Sequence, residues 1–121
     1  MTPDQLVTEF CAKWADPDPV ELASYFTDDA VYHNIPMDPV RGRVAIEEFL
    51  TEFVRSFGGI DFRIGNQIAR DGLVLNERVD VFRMNGRTIE MPVMGAFEVV
   101  DGKIAAWRDY FDMAPLTDPP A

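Results

Sequence analysis

An arginine and an aspartate two residues apart stand in the run Asn76-Glu77-Arg78-Val79-Asp80, and a second aspartate, Asp109, lies between aromatics in Trp107-Arg108-Asp109-Tyr110-Phe111-Asp112. These residue types are suited to proton transfer. A guanidinium has five N–H donors and can bridge two carboxyl groups, holding one ionised while the other keeps its proton in an apolar setting. Two carboxyls in different protonation states make an acid and a base. For a lone aspartate the plainer reading is a solvated strand end; a second carboxyl with an arginine beside it changes that reading.

For these groups to meet, the chain must place them on one face of a sheet. Side chains at i and i+2 of a strand share a face, so Val74, Asn76, Arg78, Asp80 and Phe82 point one way and Leu73, Leu75, Val79 and Val81 the other. The flanking apolar residues predict an interior strand, where a charge must find partners. In the last strand Asp109 shares its face with Trp107 and Phe111. Plain two-residue turns at Asn85-Gly86 and Asp101-Gly102 would set Arg78 opposite Val93 and Val93 opposite Tyr110, which puts Asp109 on the wrong side. One irregularity is therefore expected between Asn85 and Met94, near Pro92 or as a glycine bulge in the Asn-Gly turn.

The remaining elements follow from caps and periodicity. Thr2-Pro3-Asp4-Gln5 is a capping-box start for a helix carrying Leu6, Val7, Phe10, Cys11 and Trp14 on one face. Asp18-Pro19-Val20-Glu21 opens a second, short helix with Leu22, Tyr25 and Phe26. Val31 to Ile35 alternates as a strand that puts Tyr32 and Asn34 on one face and His33 on the other, and Pro36, Pro39 and Gly42 then make a loop. From Val44 to Phe57 the residues Ile46, Phe49, Leu50, Phe53, Val54 and Phe57 follow a helical stripe, with Glu47, Glu48 and Glu52 on a solvated side and Gly58-Gly59 as the stop. Strands at Ile60–Ala69, Leu73–Arg83, Thr88–Val100 and Ile104–Asp112 are separated by Asp71-Gly72, Asn85-Gly86 and Asp101-Gly102. Helices first and a meander second predict an α+β domain over residues 1–114 with its helices on one face of the sheet, and an irregular tail over 115–121.

Composition excludes several classes. The 121 residues, with 47% hydrophobic residues and nine Phe, suit one globular domain. A net charge of -10 with no basic block opposes nucleic-acid and anionic-membrane partners. One cysteine allows no internal disulfide and, with one histidine, no metal-ligand cluster of the zinc type. No long apolar segment is present, and a cytoplasmic location is expected.

Tyr32-His33-Asn34-Ile35-Pro36, Asn76-Glu77-Arg78-Val79-Asp80 and Trp107-Arg108-Asp109-Tyr110-Phe111-Asp112, in this order after two helices, resemble the limonene-1,2-epoxide hydrolase family over nearly the whole chain. The resemblance implies a cone-like, antiparallel-rich mixed sheet of the nuclear-transport-factor-2 type, with N-terminal helices closing its concave side. It implies that Asp109 is the general base, that Tyr32 and Asn34 help hold the attacking water, that Asp80 protonates the epoxide oxygen, and that Arg78 orders both aspartates. The implied substrates are water and a small apolar epoxide, with no cofactor and no metal. Ile35, Met37, Met94, Trp107 and Phe111 are candidate pocket lining from their apolar character. The apolar stripe Leu73, Leu75, Val79 and Val81 predicts a homodimer through the sheet, as the family resemblance also implies. Two other classes stay open on the same scaffold: a ketosteroid-isomerase-like or polyketide-cyclase-like enzyme, and a non-catalytic ligand-binding module in which the Arg78 cluster is structural.

Overall fold

The computed structural model describes residues 1–117. Helix α1 spans Pro3–Lys13, and its capping box forms as read: the Thr2 side chain accepts from the Gln5 amide while the Gln5 side chain accepts from the Thr2 amide. Asp18 caps α2, Pro19–Ala23, through the amides of Val20 and Glu21. This helix is a single turn, so neither Tyr25 nor Phe26 is on it. Phe26 instead opens strand β1, Phe26–Asn34, which begins earlier than its alternating pattern suggests and buries Phe26 against Phe10 and Trp107. The proline-rich loop carries a two-residue strand, β2, Val40–Arg41. Helix α3 spans Arg43–Phe57 and stops at Gly58, whose φ of 70° an L side chain rarely adopts.

Four strands complete the sheet: β3, Asp61–Arg70; β4, Leu73–Met84; β5, Arg87–Val100; and β6, Lys103–Tyr110. All three turns expected between them form, with positive φ at both residues of Asp71-Gly72, Asn85-Gly86 and Asp101-Gly102, as tight hairpins of this twist require. The order across the curved sheet is β2-β1-β6-β5-β4-β3. Strand β1 pairs parallel to β6 and every other neighbour is antiparallel. A one-turn helix, α4, Ala114–Thr117, forms where an irregular tail is expected; the remainder of that tail lies outside the described residues.

Helices and sheet enclose one aromatic core. Strand β4 alternates as read, with Val74, Asn76, Arg78, Asp80 and Phe82 buried and Leu73, Leu75 and Val79 exposed. Leu6, Val7, Phe10 and Cys11 of α1 and Ile46 and Leu50 of α3 are buried over the same face. Trp107 is fully buried at the centre, stacked on Tyr32 at 4.3 Å and on Phe97 at 5.3 Å between ring centroids. Among the described residues no helix is long and apolar enough to cross a membrane.

The irregularity that the site requires lies elsewhere than expected. The β4–β5 ladder is regular from Leu73↔Glu98 to Met84↔Arg87, straight through the segment between Asn85 and Met94. Pro92 causes no bulge because β6 pairs with β5 only from Met94 onward, leaving Pro92 locally on an edge where its missing N–H costs nothing. The extra residue is Ala105 in β6: Val99 pairs with Ile104 but Glu98 pairs with Ala106. That single unpaired residue reverses the parity of everything after it, so Trp107 and Asp109 turn inward and Asp109 comes opposite Gly95. Deleting Ala105 should force Trp107 out of the core and cost more than about 4 kcal/mol. Thermal denaturation followed by near-ultraviolet circular dichroism checks this; melting within a few degrees of the wild type would contradict it.

Candidate active site

The inward faces of β4 and β6 deliver the cluster. Asn76, Arg78, Asp80 and Asp109 are exposed by only 1, 2, 5 and 4%. The Arg78 guanidinium uses all five of its N–H donors. Nε and Nη2 donate to the two oxygens of Asp80, each at 2.9 Å. Nη1 and Nη2 donate to the two oxygens of Asp109 at 3.2 and 2.8 Å. The second Nη1 hydrogen goes to Asn76 Oδ1 at 3.0 Å, and the face of the cation lies 4.5 Å over the Phe62 ring. Asp109 Oδ1 also accepts from Trp107 Nε1 at 2.7 Å. On the neighbouring strand, Tyr32 donates to Asn34 Oδ1 at 3.4 Å.

Charge balance sets the protonation pattern. One buried cation faces two buried carboxyls, so a second negative charge has no counter-ion. Burial raises the Asp80 carboxyl above its usual value, opposed by its bonds and attraction to Arg78 and reinforced by the neighbouring Asp109. Burial works against the charge on Arg78, but Asp109 and Asp80 outweigh it and hold the guanidinium firmly protonated. Burial also raises the Tyr32 phenol, which stays neutral as a donor. The Cys11 thiol is pushed up to about 12, first by burial, and carries no thiolate chemistry.

Asp80 and Asp109 form the polar end of a cavity of about 400 Å³ that is otherwise almost wholly apolar. Tyr32, Asn34, Met37 and Phe111 line it as expected. Three candidate lining residues lie elsewhere. Met94 pairs with Glu77 and Tyr110, so it shares their outer face of the sheet and is 45% exposed. Trp107 sits wholly in the core, where it supports Tyr32 and donates to Asp109. Ile35 donates its amide to the Asp109 carbonyl and does not line the cavity. His33 follows its alternation, and its Nε2 donates to the Met37 carbonyl oxygen at 2.8 Å. Among the described residues no three His, Cys, Asp or Glu side chains converge as a metal site.

Sequence reasoning missed several contributors. Phe49, Phe53 and Phe57 of α3 read as core, yet they form a cavity wall, with Met84, Met91 and Met113 opposite or beside them. Their i, i+4 spacing on a stripe already filled by Ile46 and Leu50 was the available signal. Glu52 lies on the solvated face as expected, exposed and paired with Arg55, and also reaches the rim of the cavity. Gly95 was missed altogether. A Cβ there would lie 2.4 Å from Arg78 Nη1, 2.8 Å from Asn76 Oδ1 and 3.0 Å from Asp109 Oδ1. Only a bare backbone lets β4 reach β6 across the intervening strand, and an interior strand glycine is the sequence mark of such an approach.

A sequence model of the limonene-1,2-epoxide hydrolase catalytic domain matches residues 2–118. The chain belongs to this family. Epoxide hydrolase EphG of Mycobacterium tuberculosis (strain ATCC 25618 / H37Rv) is 38% identical over 88 residues, which cover 71% of this chain and 57% of that protein's length. The structure of an LEH-like epoxide hydrolase from M. tuberculosis superposes with a TM-score of 0.84 at 29% identity, covering 93% of this chain and 84% of that one. An NTF2-like protein of unknown function from Cytophaga hutchinsonii shares the fold at a TM-score of 0.76 and 19% identity, covering 98% and 96%. The family match and these superpositions thus agree with the expected α+β architecture.

Gly95→Ala tests the crossing point. The φ of Gly95 is not positive, so alanine would ordinarily stabilise such a strand position by roughly 0.4–1 kcal/mol. Here the sign should reverse, with a loss of about 1–3 kcal/mol as the guanidinium is displaced. The urea midpoint decides between them.

Proposed function

We propose that this chain adds water to an apolar epoxide in one step, giving a vicinal diol, with Asp109 as general base and Asp80 as general acid. The observation that carries the reading is the saturated Arg78 guanidinium holding two carboxyls at the polar end of an apolar cavity. A water held by Tyr32 and Asn34 gives a proton to Asp109 as its oxygen attacks an epoxide carbon. The carbon–oxygen bond of the ring breaks, and Asp80 passes its proton to the departing oxygen. Asp109 Oδ1 is filled by Arg78 and Trp107, so Oδ2, which accepts one bond from the guanidinium, is the oxygen with a lone-pair direction for the proton; each Asp80 oxygen likewise accepts one bond from Arg78 and keeps a direction for this exchange. Proton removal from a poor nucleophile and donation to a poor leaving group are each worth about 10²–10⁴-fold. The closing proton transfer from Asp109 back to Asp80, through solvent or product, restores the starting state.

A ketosteroid-isomerase-like or polyketide-cyclase-like enzyme on this scaffold would also use an aspartate base, and even a protonated carboxyl, but an arginine shared between two carboxyls suits paired proton removal and donation better than it suits holding an enolate. The apolar cavity wall supports an apolar epoxide as substrate. On the outer face Leu73, Leu75 and Val79 are joined by Ile68 and Met94, all at least 37% exposed. That stripe supports a homodimer through the sheet.

Single turnover of an apolar epoxide in ¹⁸O-water should place the label in the first diol formed, because solvent oxygen attacks directly; label absent from the first turnover means a covalent ester and defeats the reading. Asp80→Asn and Asp109→Asn should each lower the rate by at least about 10³-fold with the fold intact by circular dichroism. Asp80 must be protonated to act, so kcat/KM should fall as pH rises through its value, which lies above the ordinary 3.8. Sedimentation at micromolar concentration should show a dimer, and Leu75→Glu a monomer. A monomeric wild type would rule the dimer out.

A further inference from the structure

We propose that Gln67 and Asn76 are positioning residues: a hydrogen-bond chain of fixed polarity runs through them from the first turns of α1 to Arg78 and sets the plane of the guanidinium. The inference rests on reading Arg78, Asp80 and Asp109 as the acid–base site and adds the groups that aim it.

The two ends of the chain dictate its direction. A guanidinium only donates, so the Asn76 amide must turn its oxygen to Arg78 Nη1, at 3.0 Å. Its nitrogen then faces away, donating to Gln67 Oε1 at 3.0 Å, with the Cys11 sulfur at 3.9 Å. Gln67 must in turn present its own nitrogen to α1. There it meets the Asp4 carbonyl at 3.2 Å, Asp4 Oδ1 at 2.8 Å and Thr8 Oγ1 at 2.9 Å. Thr8 spends its hydroxyl hydrogen on the Asp4 carbonyl, which leaves its oxygen as an acceptor. Flipping either amide would set donor against donor at one end or acceptor against acceptor at the other.

The chain exists because of a second bulge. Ile64 pairs with Arg78 but Asn66 pairs with Glu77, so Gly65 is extra in β3. Without it, Asn66 would oppose Asn76 and Gln67 would point outward. With it, Gln67 stands directly opposite Asn76 beneath α1.

Arg78 has to serve two carboxyls from two edges of one plane. Asn76 takes the one donor that neither carboxyl uses, and so resists tilting toward either of them. Gln67 is not among the residues that line the cavity. Its influence therefore reaches the reaction through Arg78 and should move kcat with little effect on KM.

Two substitutions at Gln67 separate positioning from simple helix stapling. Gln67→Leu removes both contacts and should lower kcat about tenfold with KM within about twofold. Gln67→Glu keeps an acceptor for Asn76 while setting a second carboxylate against Asp4. It should recover most of kcat, yet melt at a lower temperature than Gln67→Leu. In parallel, the Arg78 Nη–H resonances of ¹⁵N-arginine protein should be resolved in the wild type and in Gln67→Glu, and averaged by rotation in Gln67→Leu. The proposal is overturned if Gln67→Leu keeps kcat within twofold, if both variants lose kcat in step with their melting temperatures, or if the Arg78 resonances are the same in all three proteins. A wild type that opens no epoxide condemns the hydrolase reading alone, and the Arg78 resonances still decide whether the chain orients the guanidinium.

Discussion

Arg78 brings a single positive charge into a place that holds two carboxyl groups, all three nearly sealed from solvent. Leaving a charge of either sign unpaired there costs several kcal/mol, so burial favours the neutral form of Asp80 while Arg78 keeps its charge. A guanidinium suits this arrangement because its five donors lie in one plane and can be shared between two acids and an amide, whereas a lysine would offer three donors from one point. The proposed acid–base chemistry would draw on the asymmetry that this balance gives the cluster.

That cluster imposes conditions on the sheet around it. Three strands must cooperate: β4 supplies the arginine and one acid, β6 supplies the other, and β5 must be crossed without a side chain in the way. Gly95 meets the last condition. Two bulges meet the others, Ala105 by turning Asp109 inward and Gly65 by bringing Gln67 opposite Asn76. Each is one residue long, and each changes which side chains face the helices over the rest of its strand.

The cavity beside the cluster follows from how α3 is divided. Ile46 and Leu50 close the core, while Phe49, Phe53 and Phe57 on the adjoining stripe are left partly uncovered and wall the hollow with methionines from β4, β5 and the final loop. Methionine and phenylalanine give a dry surface of adaptable shape, in which hydrogen bonds to the two acids are stronger than they would be in water. Trp107 links the two regions: it is core by packing, yet its indole N–H fixes Asp109.

Local chemistry written in the chain determined the caps, the stripes of the helices, the three hairpin turns, the alternation of β4 and the pairing of Arg78 with Asp80, because each depends on residues within a turn or two of one another. The sequence also pointed to Asp109 and to the family, through three short segments whose residue types make sense together. It did not locate the bulge: Pro92 and Asn85-Gly86 looked the better candidates, and nothing in Ile104-Ala105-Ala106 marks an extra residue, since either alanine fits either face. Met94 and Trp107 were misplaced as lining for the same reason, as apolar character does not say which side of a sheet, or which depth, a residue occupies. Those matters were decided only when the strands paired, because the register of β6 is fixed by burying Trp107 and satisfying Asp109 at a distance of some thirty residues along the chain from Arg78.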